Sequence, residues 1–176
     1  IRSMCRMYKD AFARFFGGNS APVYAGKALC IKSLYRIMEE EKMLADCVSS
    51  GELYTASAAG FPMENVFFHG NNKTDADLSY AVSLGVGHIV ADCREELDAL
   101  DRIAGEAGIR QKILLRITPG IDPHTHQKII TGNVDSKFGS PISTGQAEEI
   151  VRHALSKEHL LLDGLHCHVG SQIFDI

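Results

Sequence analysis

Short apolar segments alternate with amphipathic segments along the chain, and this alternation limits the possible folds more than any other feature. Six apolar runs of strand length recur mostly a little over twenty residues apart, each next to a segment with helical periodicity. Strands that alternate with helices in this way form parallel sheets. Two layouts satisfy the pattern, an open doubly wound sheet and a (β/α)8 barrel.

The predicted elements cover most of the chain. Helices are predicted over residues 2–16, 31–42, 52–59, 74–84, 95–107 and 146–156, and strands over 23–29, 44–49, 66–69, 89–92, 112–118 and 160–169. The stretch from Pro119 to Pro141 is predicted to be irregular, and loops of this length are usually functional.

Polar residues gather at the carboxyl ends of the predicted strands, where a barrel carries its reactive groups. They are Lys27, Asp46, Ser49, Ser50, His69, Asn71, Asn72, Asp92, Arg116, His166 and His168. The sequence contains neither the G-x-G-x-x-G turn of a dinucleotide-binding fold nor a P-loop. These features favour an α/β fold in the form of a partial (β/α)8 TIM-like barrel, with about six of its eight strands.

The predicted organisation is an N-terminal helix in residues 1–20 that leads into a truncated barrel in residues 21–176. A complete barrel needs eight strands and typically about 250 residues. The sequence also begins with a residue other than Met. We therefore interpret it as part of a longer enzyme.

Composition excludes several classes of partner. The formal net charge is −4 with both signs interspersed, so neither nucleic acid nor an anionic membrane is an expected partner. No apolar run reaches the length of a membrane span. The five cysteines are odd in number, widely spaced and without a C-x-x-C pair, which indicates reduced thiols and a cytoplasmic location.

Lys27 follows a short apolar run and has two interpretations. It is either a strand-end lysine whose ammonium reaches water, or a Schiff-base lysine that attacks an aldehyde from a partly dry site. The run alone favours the first interpretation, and the polar residues at the other strand ends favour the second.

The last predicted strand presents His166 and His168 on one face, with Leu165 and Cys167 directed into a helix layer. Such a pair is compatible with a metal site, and His124-Thr125-His126 supplies a second H-x-H. A metal-dependent barrel hydrolase is therefore a competing interpretation, beside hydrogen-bonded core histidines.

Two further features indicate anion binding. Arg116 is predicted to point inward, where a guanidinium needs an anion, either Asp46 or a ligand. Ser171, in the turn after the last strand, offers a hydroxyl that suits a phosphate.

Seven motifs, in this order and spacing, resemble the diaminopimelate decarboxylase branch of the fold-type III pyridoxal-phosphate enzymes, related to ornithine decarboxylase and alanine racemase. They are Tyr24-Ala25-Gly26-Lys27-Ala28, Ser50-Gly51-Glu52-Leu53, Phe68-His69-Gly70-Asn71-Asn72-Lys73, Leu115-Arg116-Ile117-Thr118-Pro119-Gly120, His124-Thr125-His126, Asp135-Ser136-Lys137-Phe138-Gly139 and His166-Cys167-His168-Val169-Gly170-Ser171-Gln172.

The resemblance implies the cofactor, pyridoxal 5'-phosphate, and a role for individual residues. Lys27 resembles the lysine that binds the cofactor covalently. His168 resembles the histidine that stacks on the pyridine ring, and Ser171 the serine near the phosphate. The remaining matches to polar residues around the cofactor are Asp46, Asn71 and Arg116. No metal is implied.

The resemblance also implies an activity for the full-length parent, the decarboxylation of meso-2,6-diaminopimelate to L-lysine and CO₂ by a homodimer. The family's C-terminal β-domain is absent from this sequence, so we expect the 176-residue chain alone to be inactive. Three alternatives stay open: a related decarboxylase of arginine, ornithine or carboxynorspermidine, the metal-dependent hydrolase, and a non-catalytic pyridoxal-phosphate carrier.

Overall fold

The computed structural model describes residues 1–120 and 138–170. They divide into two compact units. The first contains residues 1–69 and 80–88, and the second contains residues 70–79 together with the described residues from 89 onward.

The first unit is built around three parallel strands. In chain order its elements are helix α1 (Arg2–Phe16), strand β1 (Val23–Ala25), a 3₁₀ turn (Gly26–Ala28), helix α2 (Lys32–Glu40), strand β2 (Leu44–Cys47), helix α3 (Ser50–Ala58), a second 3₁₀ turn (Met63–Asn65) and strand β3 (Val66–Phe68). Strand β2 pairs with β1 on one side and β3 on the other, with Ala25 opposite Asp46 and Cys47 opposite Phe68. Apolar side chains from α2, α3 and the strands form its core, including Tyr35, Met38, Leu53, Val66 and Phe68.

Helix α4 (Asp75–Ser83) begins with a reciprocal cap. The Thr74 hydroxyl accepts the Asp77 backbone N–H at 3.2 Å, and the Asp77 carboxylate accepts the Thr74 N–H at 3.0 Å. These bonds satisfy two of the N–H groups that a helix start leaves without partners.

The second unit is built around a long central strand. Its elements are strand β4 (His88–Ala91, with His88 in the first unit), helix α5 (Arg94–Glu106), strand β5 (Gln111–Thr118), strand β6 (Ser140–Pro141), helix α6 (Gln146–Leu155) and strand β7 (Leu160–His166). Strand β5 pairs in parallel with β4, with β7 and, at its carboxyl end, with β6. The core includes Ile89, Leu97, Leu100, Ile113 and Leu115.

The structure confirms the α/β class and the parallel pairing, consistent with a partial (β/α)8 barrel. Each predicted helix is present with its ends within two residues of the prediction. In the described residues no helix is both long and apolar enough to cross a bilayer.

Three predictions about strands are wrong. β1 ends at Ala25 rather than at residue 29, and the stretch predicted to be irregular ends in β6, where Ser140 and Pro141 pair with β5. In β7, Leu165 is 55% exposed rather than covered by a helix layer.

Candidate functional site

Lys27 lies in the 3₁₀ turn after β1, and its side chain is exposed. The turn depends on Gly26, where a Cβ atom would lie 2.6 Å from both the Asp46 carbonyl oxygen and the Tyr35 Oη. Only glycine fits this close approach, and the chain leaves the strand at this residue. The predicted placement of Lys27 within the strand alternation is therefore wrong, but its position at the carboxyl end of β1 is confirmed.

Asp46 and His69 form a half-buried polar pair at the ends of β2 and β3. The His69 Nε2 lies 3.6 Å from the Asp46 Oδ1. The His69 backbone N–H donates to the Cys47 carbonyl at 2.8 Å, which continues the β2–β3 pairing and fixes the histidine next to Asp46. A carboxylate beside an imidazole gives this end of the unit a pair that can hold a proton.

Glu52 is a polar residue of this region that the sequence reasoning did not single out. Its Oε2 accepts the Val48 N–H at 2.7 Å, and its own N–H donates to the Ser49 hydroxyl at 3.3 Å, a reciprocal cap at the start of α3. The same oxygen would lie 3.3 Å from a Cβ on Gly26. The S-x-x-E spacing of a capping box was the available signal.

Arg116 is held from several sides in the second unit. Its side chain is 13% exposed, its Nε lies 3.9 Å from the Asp92 Oδ1, and its Cζ lies 4.2 Å from the centre of the Phe138 ring. Gly139 lies so close that a Cβ there would be 2.9 Å from the Arg116 carbonyl oxygen. A guanidinium in contact with both a carboxylate and an aromatic face has a restricted orientation.

Asp92, directly after β4, is the anion beside Arg116. Its side chain is 7% exposed, and both carboxylate oxygens are shielded from solvent. Burial raises the pKa of Asp92, while the positive charges of Arg116 and Lys73 oppose that rise. The predicted pairing of Arg116 with Asp46 stays a prediction.

His166 is the last residue of β7 and lies opposite Arg116 in the β5–β7 pairing. Burial, the charge of Arg116 and the neighbouring His168 together lower the pKa of His166 to about 4, with burial the largest of the three causes. His166 is therefore a neutral imidazole at pH 7. His168 lies two residues beyond the strand and is half-buried.

Asn71 is exposed and lines a polar cavity of about 480 Å³ in the second unit. The lining includes Asp92, Cys93, Gly139, Ser140 and Glu149. Ser171 and the pair His124 and His126 lie outside the described residues. In the described part of the chain, no group of three or more histidine, cysteine or acidic side chains is arranged to bind a metal ion.

The whole chain, residues 1–176, matches the family described as pyridoxal-dependent decarboxylase, pyridoxal binding domain, and the chain belongs to this family. The cofactor of that family is pyridoxal phosphate.

Within the family, the chain is similar to diaminopimelate decarboxylases. The enzyme of Bacillus methanolicus is 46% identical over 175 residues, which are 99% of this chain and 40% of the relative. The chain thus spans less than half the length of this relative.

Solved structures of decarboxylases are also similar to this chain. Diaminopimelate decarboxylase from Helicobacter pylori, complexed with L-lysine, has a TM-score of 0.88 and 31% identity over 99% of this chain and 43% of that chain. The arginine decarboxylase of Paramecium bursaria Chlorella virus has a TM-score of 0.79 and 25% identity over 99% of this chain and 44% of that chain.

The residues present fit this cofactor. An aldehyde group requires an amine that it can reach, and Lys27 is exposed directly after a parallel strand. Phosphate and carboxylate groups favour a guanidinium that is largely withdrawn from water, as Arg116 is. Both requirements are met by side chains whose positions are fixed by strands and close glycine contacts.

Proposed function

We propose that this chain is the cofactor-binding barrel portion of an enzyme that decarboxylates meso-2,6-diaminopimelate to L-lysine and CO₂. The observation that carries the proposal is the exposed amine of Lys27, held at the carboxyl end of β1 by the Gly26 turn. The similarity to diaminopimelate decarboxylases over 99% of the chain supports the choice of substrate.

Each site residue has a proposed role. Lys27 anchors the cofactor covalently and, when released, holds or transfers a proton at Nζ. His168 orients the cofactor ring, and Ser171 binds its phosphate. Arg116, restrained by Asp92, attracts anionic groups, and Asp46 and Asn71 complete the polar surroundings. Bound pyridoxal phosphate supplies the electron sink that makes loss of a carboxylate possible.

The neutral state of His166 has a chemical consequence. A neutral imidazole next to Arg116 adds no second positive charge and leaves one ring nitrogen as an acceptor. The guanidinium of Arg116 therefore attracts an anionic group at the carboxyl end of β5 without a contribution from His166.

The alternative within the family is a decarboxylase of arginine, ornithine or carboxynorspermidine. The likeness to the viral arginine decarboxylase keeps it open, while His69-Gly70-Asn71-Asn72-Lys73 favours the diaminopimelate branch. A homodimer in the cytoplasm is part of the proposal for the full-length enzyme.

The test is covalent labelling followed by substrate assays, on the longest form in which the chain is produced. Pyridoxal phosphate is added, the adduct is reduced with borohydride, and peptides are mapped. We expect the label on Lys27, its loss in Lys27→Ala, and its retention in the matched control Lys32→Ala, which removes an exposed lysine from the start of α2.

A separate sample, loaded with pyridoxal phosphate and not treated with borohydride, is assayed for CO₂ release from meso-diaminopimelate, arginine and ornithine. Release from diaminopimelate alone supports the proposal. Release from arginine or ornithine instead establishes the alternative. A label on another lysine, or no label at all, would contradict the assignment of Lys27 as the residue that binds pyridoxal phosphate.

A further inference from the structure

A buried ion pair in the second unit is not explained by the roles given above. The Lys73 and Glu96 side chains are 3% and 5% exposed, and the Lys73 Nζ lies 2.7 Å from the Glu96 Oε1. The same ammonium donates to the Val90 carbonyl at 2.8 Å and to the Gly70 carbonyl. The ammonium therefore contacts one carboxylate oxygen and two backbone carbonyls.

The pair connects three pieces of backbone that carry site residues. Gly70 begins the loop that contains Asn71, and Val90 lies near the carboxyl end of β4, two residues before Asp92. Glu96 lies at the start of α5, and its Oε2 accepts the Asp92 backbone N–H at 3.4 Å.

From Asp92 the connection continues to the cation of the site, because its Oδ1 lies 3.9 Å from the Arg116 Nε. Two successive contacts therefore link the Lys73–Glu96 pair to Arg116. The pair itself lies behind the cavity-lining residues Asn71 and Asp92 and is absent from that lining.

Stability alone is a poor reason for such a pair. Removing two charges from water costs several kcal/mol per ion, and apolar residues of similar volume often replace a buried ion pair with no loss of stability. Apolar residues would not, however, bind the Gly70 and Val90 carbonyls or the Asp92 N–H. The hydrogen bonds, and the positions they fix, are what the charged pair adds.

We propose that the Lys73–Glu96 pair is a positioning device of the cofactor site, which fixes the Asn71 loop and the Asp92 backbone relative to β4. This proposal rests on the proposed function, since it assumes that Asn71, Asp92 and Arg116 serve the cofactor. Lys73 and Glu96 act through these residues and are positioning residues.

The test separates stability from position. The double variant Lys73→Met/Glu96→Leu removes both charges and keeps similar volumes. The matched control is Glu148→Leu/Arg152→Met, which removes an exposed ion pair from α6 with the same net charge change. The longest form of the protein is used, and three quantities are measured: the melting temperature, the dissociation constant for pyridoxal phosphate, and amide hydrogen exchange without cofactor over residues 70–74 and 90–96.

We expect the double variant to melt near the parent, to bind the cofactor about tenfold more weakly and to exchange those amides about tenfold faster, the effect of losing one buried hydrogen bond. The control variant is expected to match the parent in cofactor affinity and exchange. Unchanged affinity and exchange in the double variant would overturn the positioning role.

If the double variant fails to fold, a second pair of variants tests the same proposal. Glu96→Gln keeps an acceptor for the Asp92 N–H, whereas Glu96→Met does not, and both remove the negative charge beside Lys73. The proposal is supported if Glu96→Gln retains the cofactor affinity of the parent and Glu96→Met loses it. Equal affinities of the two variants overturn it. A parent that binds no cofactor would overturn the proposed function and the positioning role together, whereas a binding parent with unaffected variants overturns the positioning role alone.

Discussion

Single residues in this protein acquire their chemical properties from burial and one or two neighbours. Arg116 lies between a carboxylate and an aromatic ring, and His166 lies opposite it on the next strand. Burial alone opposes the charged form of the imidazole, and a fixed cation nearby opposes it further. The pKa of His166 therefore lies well below the ordinary value of a histidine.

This difference predicts a pH dependence of stability. An unfolded histidine has a pKa of about 6.5, and His166 in the folded protein has one of about 4. Between these values the unfolded chain binds a proton that the folded chain does not, so stability falls as the pH is lowered through this window. The slope is at most about 1.4 kcal/mol per pH unit, reduced by solvent screening.

Urea unfolding at a series of pH values measures this effect. As the pH is lowered from about 6.5 to about 4, we expect His166→Gln to lose less stability than the parent. Above this window, the two proteins are expected to have the same pH dependence of stability. NMR titration of the imidazole, assigned by its disappearance in the variant, gives the pKa directly. A midpoint at or above the ordinary histidine value would contradict the prediction.

At the scale of elements, the turn after β1 determines where Lys27 lies. Gly26→Ala places a Cβ 2.6 Å from the Asp46 carbonyl oxygen, a backbone atom that cannot move without shifting β2. We expect a loss of about 1–3 kcal/mol in the free energy of unfolding, the usual cost of overpacking, and less borohydride-trapped cofactor on Lys27.

The matched control for this variant is Gly51→Ala in the first turn of α3. A Cβ there meets only the Ser49 hydroxyl at 3.8 Å, an ordinary contact, so we expect a change within about 1 kcal/mol. Urea unfolding of the two variants makes the comparison. Equal free energies for them would show that the close approach at Gly26 is not tight.

The ends of helices were easier to predict from the sequence than the ends of strands. Helix ends were predictable because local signals mark them, such as the Thr74 cap of α4 and the left-handed Gly17 after α1. Strand ends were less predictable from the sequence. β1 ends at Ala25, directly before the close approach of Gly26 to β2, and β6 is too short to show a periodicity. These features depend on tertiary contacts.

Some residues of the candidate site are indicated by the sequence, and others are brought together only by the fold. Arg116, Asp46 and His168 stay predictions, and the sequence indicates them because charged or polar residues at strand ends need partners. The Lys73–Glu96 pair was not found, because its members are distant in sequence and Lys73 follows two asparagines that are typical of a turn. A buried ion pair has no local pattern, so only the fold brings its partners together.

At the scale of the whole molecule, the distribution of apolar surface predicts how the 176-residue chain behaves in solution. Leu161 and Leu165 of β7 are 41% and 55% exposed, although a register shift between them places Leu161 opposite Lys112 and Leu165 opposite Leu115. Exposed leucines on a strand favour association with other apolar surfaces. We therefore expect this chain, produced by itself, to self-associate as its concentration rises.

Charge placed at Leu165 should reduce the association. We expect Leu165→Lys to shift the chain toward monomer, because an ammonium group has to be desolvated in an apolar contact. The matched control is Ser143→Lys, which adds the same charge to an exposed turn before α6. Sedimentation velocity over a dilution series measures the effect, with circular dichroism to verify that both variants fold. A parent that is monomeric at every concentration, or equal association of the two variants, would show that β7 does not drive the contact.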